Sequence, residues 1–230
     1  MSNRNADPID VAPRRSFFGR LAGATALGVA GLLPLRSGAQ AAPGQATSGM
    51  AKPDQDGPNW PGKLRGHHRQ MVDGYNINSG SALEFGYNFL TSYKSPGAAT
   101  LVVILRAGAL PIAVNHDIWA KYKIGESFKI IDPETKAPAV KNPFLHPKPG
   151  VLRSDDAAID RLLASGAIIG ACDMALHGQS KRLASNAGVT PDEAAKDWTA
   201  NLVPGVSILP SGVWGVNRAQ EAGCTYCSGG

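Results

Sequence analysis

Ala99-Thr-Leu-Val-Val-Ile-Leu105 is a continuous β-branched and aliphatic run whose one polar residue is Thr100. A strand with one wet face alternates apolar and polar residues, so a run this uniform belongs to a strand buried on both faces, as in a parallel sheet. Ala167-Ile-Ile-Gly-Ala171 has the same character, and Val206-Ser-Ile-Leu209 follows Pro204-Gly205 as a third such strand. Arg69-Gln-Met-Val72 forms a short first strand, and a last one includes Thr225 and Tyr226.

The segments between these strands carry helical signals. Residues 78–93 place Leu83, Tyr87 and Leu90 on one face, with Ser79 or Ser81 as the cap and Ser95-Pro96-Gly97 as the stop. Asn115 or His116 opens a short helix containing Ile118, Trp119 and Tyr122, and Ser154 caps another over residues 155–165. A further helix starts at Met174 or Leu176 and reaches Asn186. Thr190-Pro-Asp-Glu193 is a capping box, and Ser211 opens a helix with Val213, Trp214, Val216 and Ala219. Residues 126–150 hold Pro133, Pro138, Pro143, Pro147 and Pro149, yet Phe128, Ile130, Ile131, Phe144 and Leu145 are too apolar for a free linker. They read as an ordered, irregular excursion. Short buried strands alternating with helices predict an α/β fold, a doubly wound and mainly parallel sheet covered on both faces.

Sites in such sheets lie beyond the carboxyl ends of the strands, which selects Arg106, Cys172 and residues 210–212, with Ser211 and Gly212 among them. Cys172 is the candidate catalytic residue. Between a strand end and a helix start, a sulfur feels the positive end of the helix dipole, which favours thiolate. Asp173 next door opposes this, and Arg106 on a neighbouring strand end supports it. A buried cysteine that acts only as a small hydrophobe is the competing reading. Cys224-Thr-Tyr-Cys227 is a C-x-x-C with no room for the helix that follows such a motif in thioredoxin-like enzymes. It reads as a structural or labile disulfide, or as half of a metal site, although zinc normally needs four ligands and no metal or cofactor is assigned. His67, His68, His116 and His146 are ordinary, and His177 alone lies near enough in sequence to share the pocket of Cys172. No G-x-S-x-G, phosphate loop or G-x-G-x-x-G is present, so a nucleotide-dependent mechanism has no support.

Arg14-Arg15-Ser-Phe-Phe18 precedes a charge-free, weakly apolar run at residues 21–35, softened by Gly23, Gly28, Gly31 and Pro34. A membrane-spanning helix needs about 20 strongly apolar residues, so this run is an address and no stable membrane anchor. Ala39-Gln-Ala41 offers a signal-peptidase site, which puts the mature start at Ala42. The competing reading is a short buried helix. A twin-arginine signal implies folding in the cytoplasm, passage through the twin-arginine export machinery and work in the periplasm. Residues 42–66 then form a flexible leader before one domain at 67–230. The whole chain carries +5, and residues 1–41 hold five arginines against Asp7 and Asp10, which leaves +2 for the mature protein. That balance, with no basic stripe interleaved with aromatics, excludes nucleic acid as a partner. Three cysteines in an oxidising compartment leave at least one thiol unpaired within the chain.

At Gly166-Ala-Ile-Ile-Gly-Ala-Cys172-Asp-Met-Ala-Leu, Leu202-Val-Pro-Gly-Val206, Ser211-Gly-Val-Trp214 and Gln220-Glu-Ala-Gly223, the chain resembles the DsrE/DsrF-like sulfur-relay family, which includes TusD-like proteins. Leu101 to Arg106 and Asn115-His-Asp-Ile-Trp119 fit its earlier half, so the resemblance spans roughly residues 69–226. It implies a flavodoxin-like fold of about five parallel strands and assembly as a homo-oligomer. It also implies that the residue at Cys172 accepts persulfide sulfur and passes it to a sulfur-oxidation or redox partner. Three features depart from the family pattern: the export signal, the excursion at 126–150 and the terminal C-x-x-C. A periplasmic protein does not serve a cytoplasmic tRNA-thiolation relay. Cys172 would instead carry or bind a sulfane sulfur or a small sulfur anion, with Arg106, Asp173, Ser211 and Gly212 around it. The alternatives are a non-catalytic binding or assembly subunit docking through Trp119, Tyr122 and the excursion, or a metal or redox module built on Cys224 and Cys227.

Overall fold

The computed structural model describes residues 58–230. The export signal expected at 1–41 and most of the expected leader lie outside the described residues. Five strands form one sheet in which every pairing is parallel: β1 (His68–Gly74), β2 (Ala99–Leu105), β3 (Ile168–Cys172), β4 (Ser207–Leu209) and β5 (Thr225–Ser228), in the spatial order β4-β3-β2-β1-β5. The fold is α/β, a flavodoxin-like arrangement of an all-parallel sheet with helices around it.

Strand order fixes which face each helix covers. The steps from β1 to β2, β3 and β4 all move the same way across the sheet, so right-handed crossovers place their helices on one face. The return from β4 to β5 runs the opposite way and places its helix on the other. Packing follows this rule. On the first face, Val72, Leu101, Val103, Leu105 and Ile169 meet Leu83 of α1 (Ser81–Thr91), Ile118 of α2 (His116–Lys121) and Ile124 of α3 (Ile124–Ser127). The same cluster takes in Leu162 of α4 (Ile159–Ala164), Leu176 of α5 (Asp173–Leu183) and Trp198 of α6 (Pro191–Ala200). On the second face, Met71, Val102, Ile104 and Leu209 meet Ala219 of α7 (Gly212–Glu221). No helix among the described residues is long and apolar enough to cross a membrane.

Three expectations change. The segment assigned to a flexible leader packs from Trp60 onward: Trp60 and Leu64 join the second-face core, and the Arg65 amide donates to Thr100 Oγ1 at 3.0 Å. The reason is area, because one helix leaves part of that face open and two large side chains close it. Trp119 and Tyr122 are fully buried and form no docking surface. Trp119 Nε1 donates to the Pro111 carbonyl at 2.8 Å, and the Tyr122 hydroxyl donates to Asp197 at 2.9 Å. The helix at 155–165 is shorter than its pattern, since Ser154 caps a single 3-10 turn, Asp155–Ala157, before α4 begins. The capping box is as predicted: Thr190 accepts from the Glu193 amide, and the Glu193 carboxylate accepts from the Thr190 amide at 2.8 Å.

The excursion is ordered by one buried side chain. Asn142 donates from Nδ2 to the carbonyls of Ile112 (2.9 Å) and Val114 (2.7 Å), and its Oδ1 accepts from the Phe144 amide at 2.9 Å. Phe144, Leu145 and Leu152 are thereby held in the core, while Ile131 is left half exposed. Asn142→Ala would strand three buried backbone groups, each worth about 1–3 kcal/mol when unpaired, so a loss of at least about 3 kcal/mol is expected. Urea unfolding checks this, and an unchanged midpoint would show that the excursion does not depend on Asn142.

Candidate functional site

In an open α/β sheet a crevice forms where two adjacent strands send their chains to opposite faces. Here β3 and β4 are those strands, since β3 exits into α5 on the first face and β4 into α7 on the second. Cys172 ends β3 and pairs in register with Leu209, the last residue of β4. Its Sγ caps α5, accepting the Ala175 amide hydrogen at 3.3 Å. Ser211 caps α7 in the same way, its hydroxyl accepting from the Trp214 amide at 3.1 Å. Two helix N-termini therefore flank the crevice, each capped by a candidate site residue. Asp173 is the first residue of α5, and its carboxylate lies 3.3 Å from His177 Nδ1. His177 is exposed and lines a shallow cleft with Asp192 and Lys196, so it does not share the pocket of Cys172.

Arg106 lies one residue beyond the last β2–β3 pair, Leu105 with Ala171, and so beside Cys172 in register. Its guanidinium is already engaged. Nε meets Asp73 Oδ1 at 2.7 Å and Nη2 meets Oδ2 at 2.8 Å, a bidentate pair on a carboxylate that is 4% exposed. Tyr226 donates its hydroxyl to the same carboxylate at 3.1 Å, and the Tyr75 ring lies 4.7 Å from the guanidinium carbon. The hydrogen bonds to Asp73 raise the Arg106 pKa further, against the effect of burial. Gly212 makes room for this arrangement, since a Cβ there would stand 2.6 Å from the Arg106 side chain. Arg106, expected to stabilise negative charge on a sulfur anion, therefore stands here as the partner of Asp73. Two of its donor atoms and most of its charge are committed to Asp73, and Nη1 is what it can still offer a ligand.

Asp73, Tyr75 and Tyr226 are the members of the site that the sequence reading missed. The signal was a carboxylate directly after the buried residues Met71 and Val72, where an unpaired charge is prohibitive. Met174 and Val213, in the first turns of α5 and α7, are exposed, as are Tyr75 and Tyr226 beside Arg106 and Asp73, so this end of the sheet carries an exposed apolar and aromatic rim.

Cys224 and Cys227 are free thiols on opposite faces of the sheet. Cys224 lies in the core beneath α7, where burial pushes its thiol pKa up and Arg69 partly opposes the shift. Cys227 belongs to β5 and packs on the first-face core. Three residues of extended chain span about 10 Å and turn the side chains to opposite sides, whereas a disulfide needs Cα atoms within about 7 Å. The expected disulfide is therefore not formed, and the pair cannot chelate one ion. No cluster of three or more His, Cys, Asp or Glu suited to a metal occurs among the described residues.

The fold and site define an α/β protein with a cysteine at the switch-point crevice of a parallel sheet. No family model matches the chain, and no curated protein matches it. Among solved structures, a protein of unknown function from Methanobacterium thermoautotrophicum is similar at 13% identity and a TM-score of 0.37, over 70% of this chain and 99% of that one.

Asp73→Ala should cost about 2–4 kcal/mol, because it leaves a mostly buried guanidinium and a phenol without their acceptor. Arg106→Leu combined with Asp73→Leu should recover much of that loss, and denaturant melts of the wild type and the two variants decide it. Thiol titration in denaturant without reductant should count three thiols, and in the native state Cys227 should react first. A count of one would show that Cys224 and Cys227 are joined after all.

Proposed function

We propose that this chain is an exported, periplasmic sulfur-handling protein of the DsrE/DsrF-like kind in which Cys172 carries sulfane sulfur. The observation that carries the reading is the position of Cys172 Sγ, buried at the carboxyl end of β3 beside β4, where the chains leave for α5 and α7. Helix N-termini present free amides and a partial positive charge, the environment a small sulfur anion needs. Ser211 and the Gly212 backbone would hold the anion's oxygens, Arg106 Nη1 would reach it from the β2 side, and Asp173 would border the entrance.

With thiosulfate as donor, the Cys172 thiolate attacks the outer sulfur. A Cys–S–S⁻ bond forms, the sulfur–sulfur bond of thiosulfate breaks, and sulfite leaves with the electron pair. Charge and atoms balance without an external oxidant. The persulfide then passes to a thiol of a redox or sulfur-oxidation partner.

A second reading, a binding or assembly subunit, is favoured by the exposed rim of Tyr75, Met174, Val213 and Tyr226. That rim suits self-association or a partner's apolar face. The two readings part on Cys172. Intact mass after incubation of the 42–230 chain with thiosulfate should show a gain of about 32 Da, one sulfur, removed by dithiothreitol and absent from Cys172→Ser. No adduct, or an adduct that persists in Cys172→Ser, counts against sulfur carriage and leaves assembly as the function.

A further inference from the structure

The 126–150 excursion encloses a cavity of about 570 Å³ away from Cys172, within the size range of small-molecule sites. Its walls are largely Pro133, Pro138, Pro143, Val140 and Val151, and its polar groups are mainly cationic or imidazole. Prolines fix the backbone, and Asn142 ties the segment to the carbonyls that follow β2, so the walls are set before any ligand arrives.

Charge in this cavity is uneven. Lys148 is matched by Asp132 at 3.0 Å and Glu134 at 2.6 Å, and Lys148, with the amides of Thr135 and Glu134, holds the Asp132 carboxyl down at about 2. His146 is matched by Asp160 at 2.9 Å. Lys141 has no ion pair or hydrogen bond among the described residues, and it stands close enough to His116 to act on its titration. His116 lies 6.2 Å from His146, ring centre to ring centre, and its Nδ1 is buried without a partner. Burial first, then Lys141 and His146, lower the His116 pKa, with Asp117 and Asp160 opposing. Lys141 is thus the cation of this lining that has no partner among the described residues, and the carboxylates that act on His116, Asp117 and Asp160, are not on the lining.

We infer that the excursion forms a binding site for a small organic anion, a carboxylate or sulfonate on an apolar body, with the anionic group beside Lys141 and His116 and the body against the proline and valine walls. A cation would meet Lys141 and two imidazoles with Asp132 already spent on Lys148. A bare inorganic anion would leave the apolar walls uncovered. The site is independent of sulfur chemistry at Cys172.

The probe is 8-anilinonaphthalene-1-sulfonate, an aromatic sulfonate whose fluorescence rises on burial, beside its neutral analogue N-phenyl-1-naphthylamine. Saturable one-site binding of the sulfonate is expected. Lys141→Gln, at an exposed position, should weaken it about threefold to tenfold, as should added salt, while the neutral analogue is unaffected. Ala137→Trp, which fills the cavity from an exposed position of its lining, should remove binding, and Cys172→Ser should retain it. Non-saturable binding, binding indifferent to both Lys141→Gln and Ala137→Trp, or equal loss of the neutral analogue in Lys141→Gln would overturn the assignment. Unchanged circular dichroism and melting temperature in Lys141→Gln show that the fold is not the cause.

Discussion

β2 is the middle strand of five, and each of its side chains after Ala99 is buried, so the chain has two sheet faces to cover. Three same-direction crossovers spend nearly all of the helical material on one face. The other receives α7, ten residues long, and the corner formed by Trp60 and Leu64. A single helix can dry a sheet face only if it lies close to it. α7 does so because Gly215 has no side chain where one would stand 2.6 Å from Leu209 and 3.2 Å from Ile104. Weak helix propensity at that position, about 1 kcal/mol against alanine, is offset by the burial of Leu209, Ile104 and Met71 beneath the helix.

The same constraint creates the crevice. Because α7 must return alone on the second face, the chain leaving β4 turns away from the chain leaving β3, and Cys172 and Ser211 become the caps of diverging helices. It also determines the fate of Arg106. Continuing β2 by one residue on the face that carries Ile104 puts the arginine stem under the start of α7, where Gly212 admits it and a quarter of the side chain stays exposed. A guanidinium in that position requires a carboxylate, and Asp73 at the end of the neighbouring strand supplies it. What surrounds Cys172 is consequently helix N-terminal amide more than point charge.

Much of this was legible in residue patterns. The uniform runs at 99–105 and 167–171 announced double burial, and the capping signals at Thr190 and Ser211 marked helix starts that the structure retains. The rest depended on relations between segments. Strand order is invisible to periodicity, so neither the β3–β4 crevice nor the pairing of Asp73 with Arg106, 33 residues apart, followed from local sequence. Asp73 was nevertheless readable as a charge in a buried strand awaiting a cation. The C-x-x-C misled for a simple reason: its spacing suits a helix, and in a strand the same odd offset sends the thiols to opposite faces. Trp60 was overlooked because its neighbours are glycine, proline and polar residues, and composition averages hide a single anchoring indole.

The excursion and the carboxyl edge of the sheet are one packed body. Phe144 and Leu152 press on Gly80 at the entry to α1, the Ser81 hydroxyl donates to the Gly229 carbonyl, and the Gly230 carbonyl accepts from the amides of Tyr75 and Asn76. Tyr75 in turn lies against Arg106. Such contiguity is close packing in a single arrangement, and contact alone does not make a relay between sites. A ligand in the excursion cavity would stabilise the native state as a whole through its binding free energy, by an amount set by its concentration relative to its dissociation constant. That stabilisation requires no movement at Cys172, so the two sites can share a scaffold while differing in chemistry: one built from helix N-termini around a thiol, the other from proline walls beside an unpaired lysine.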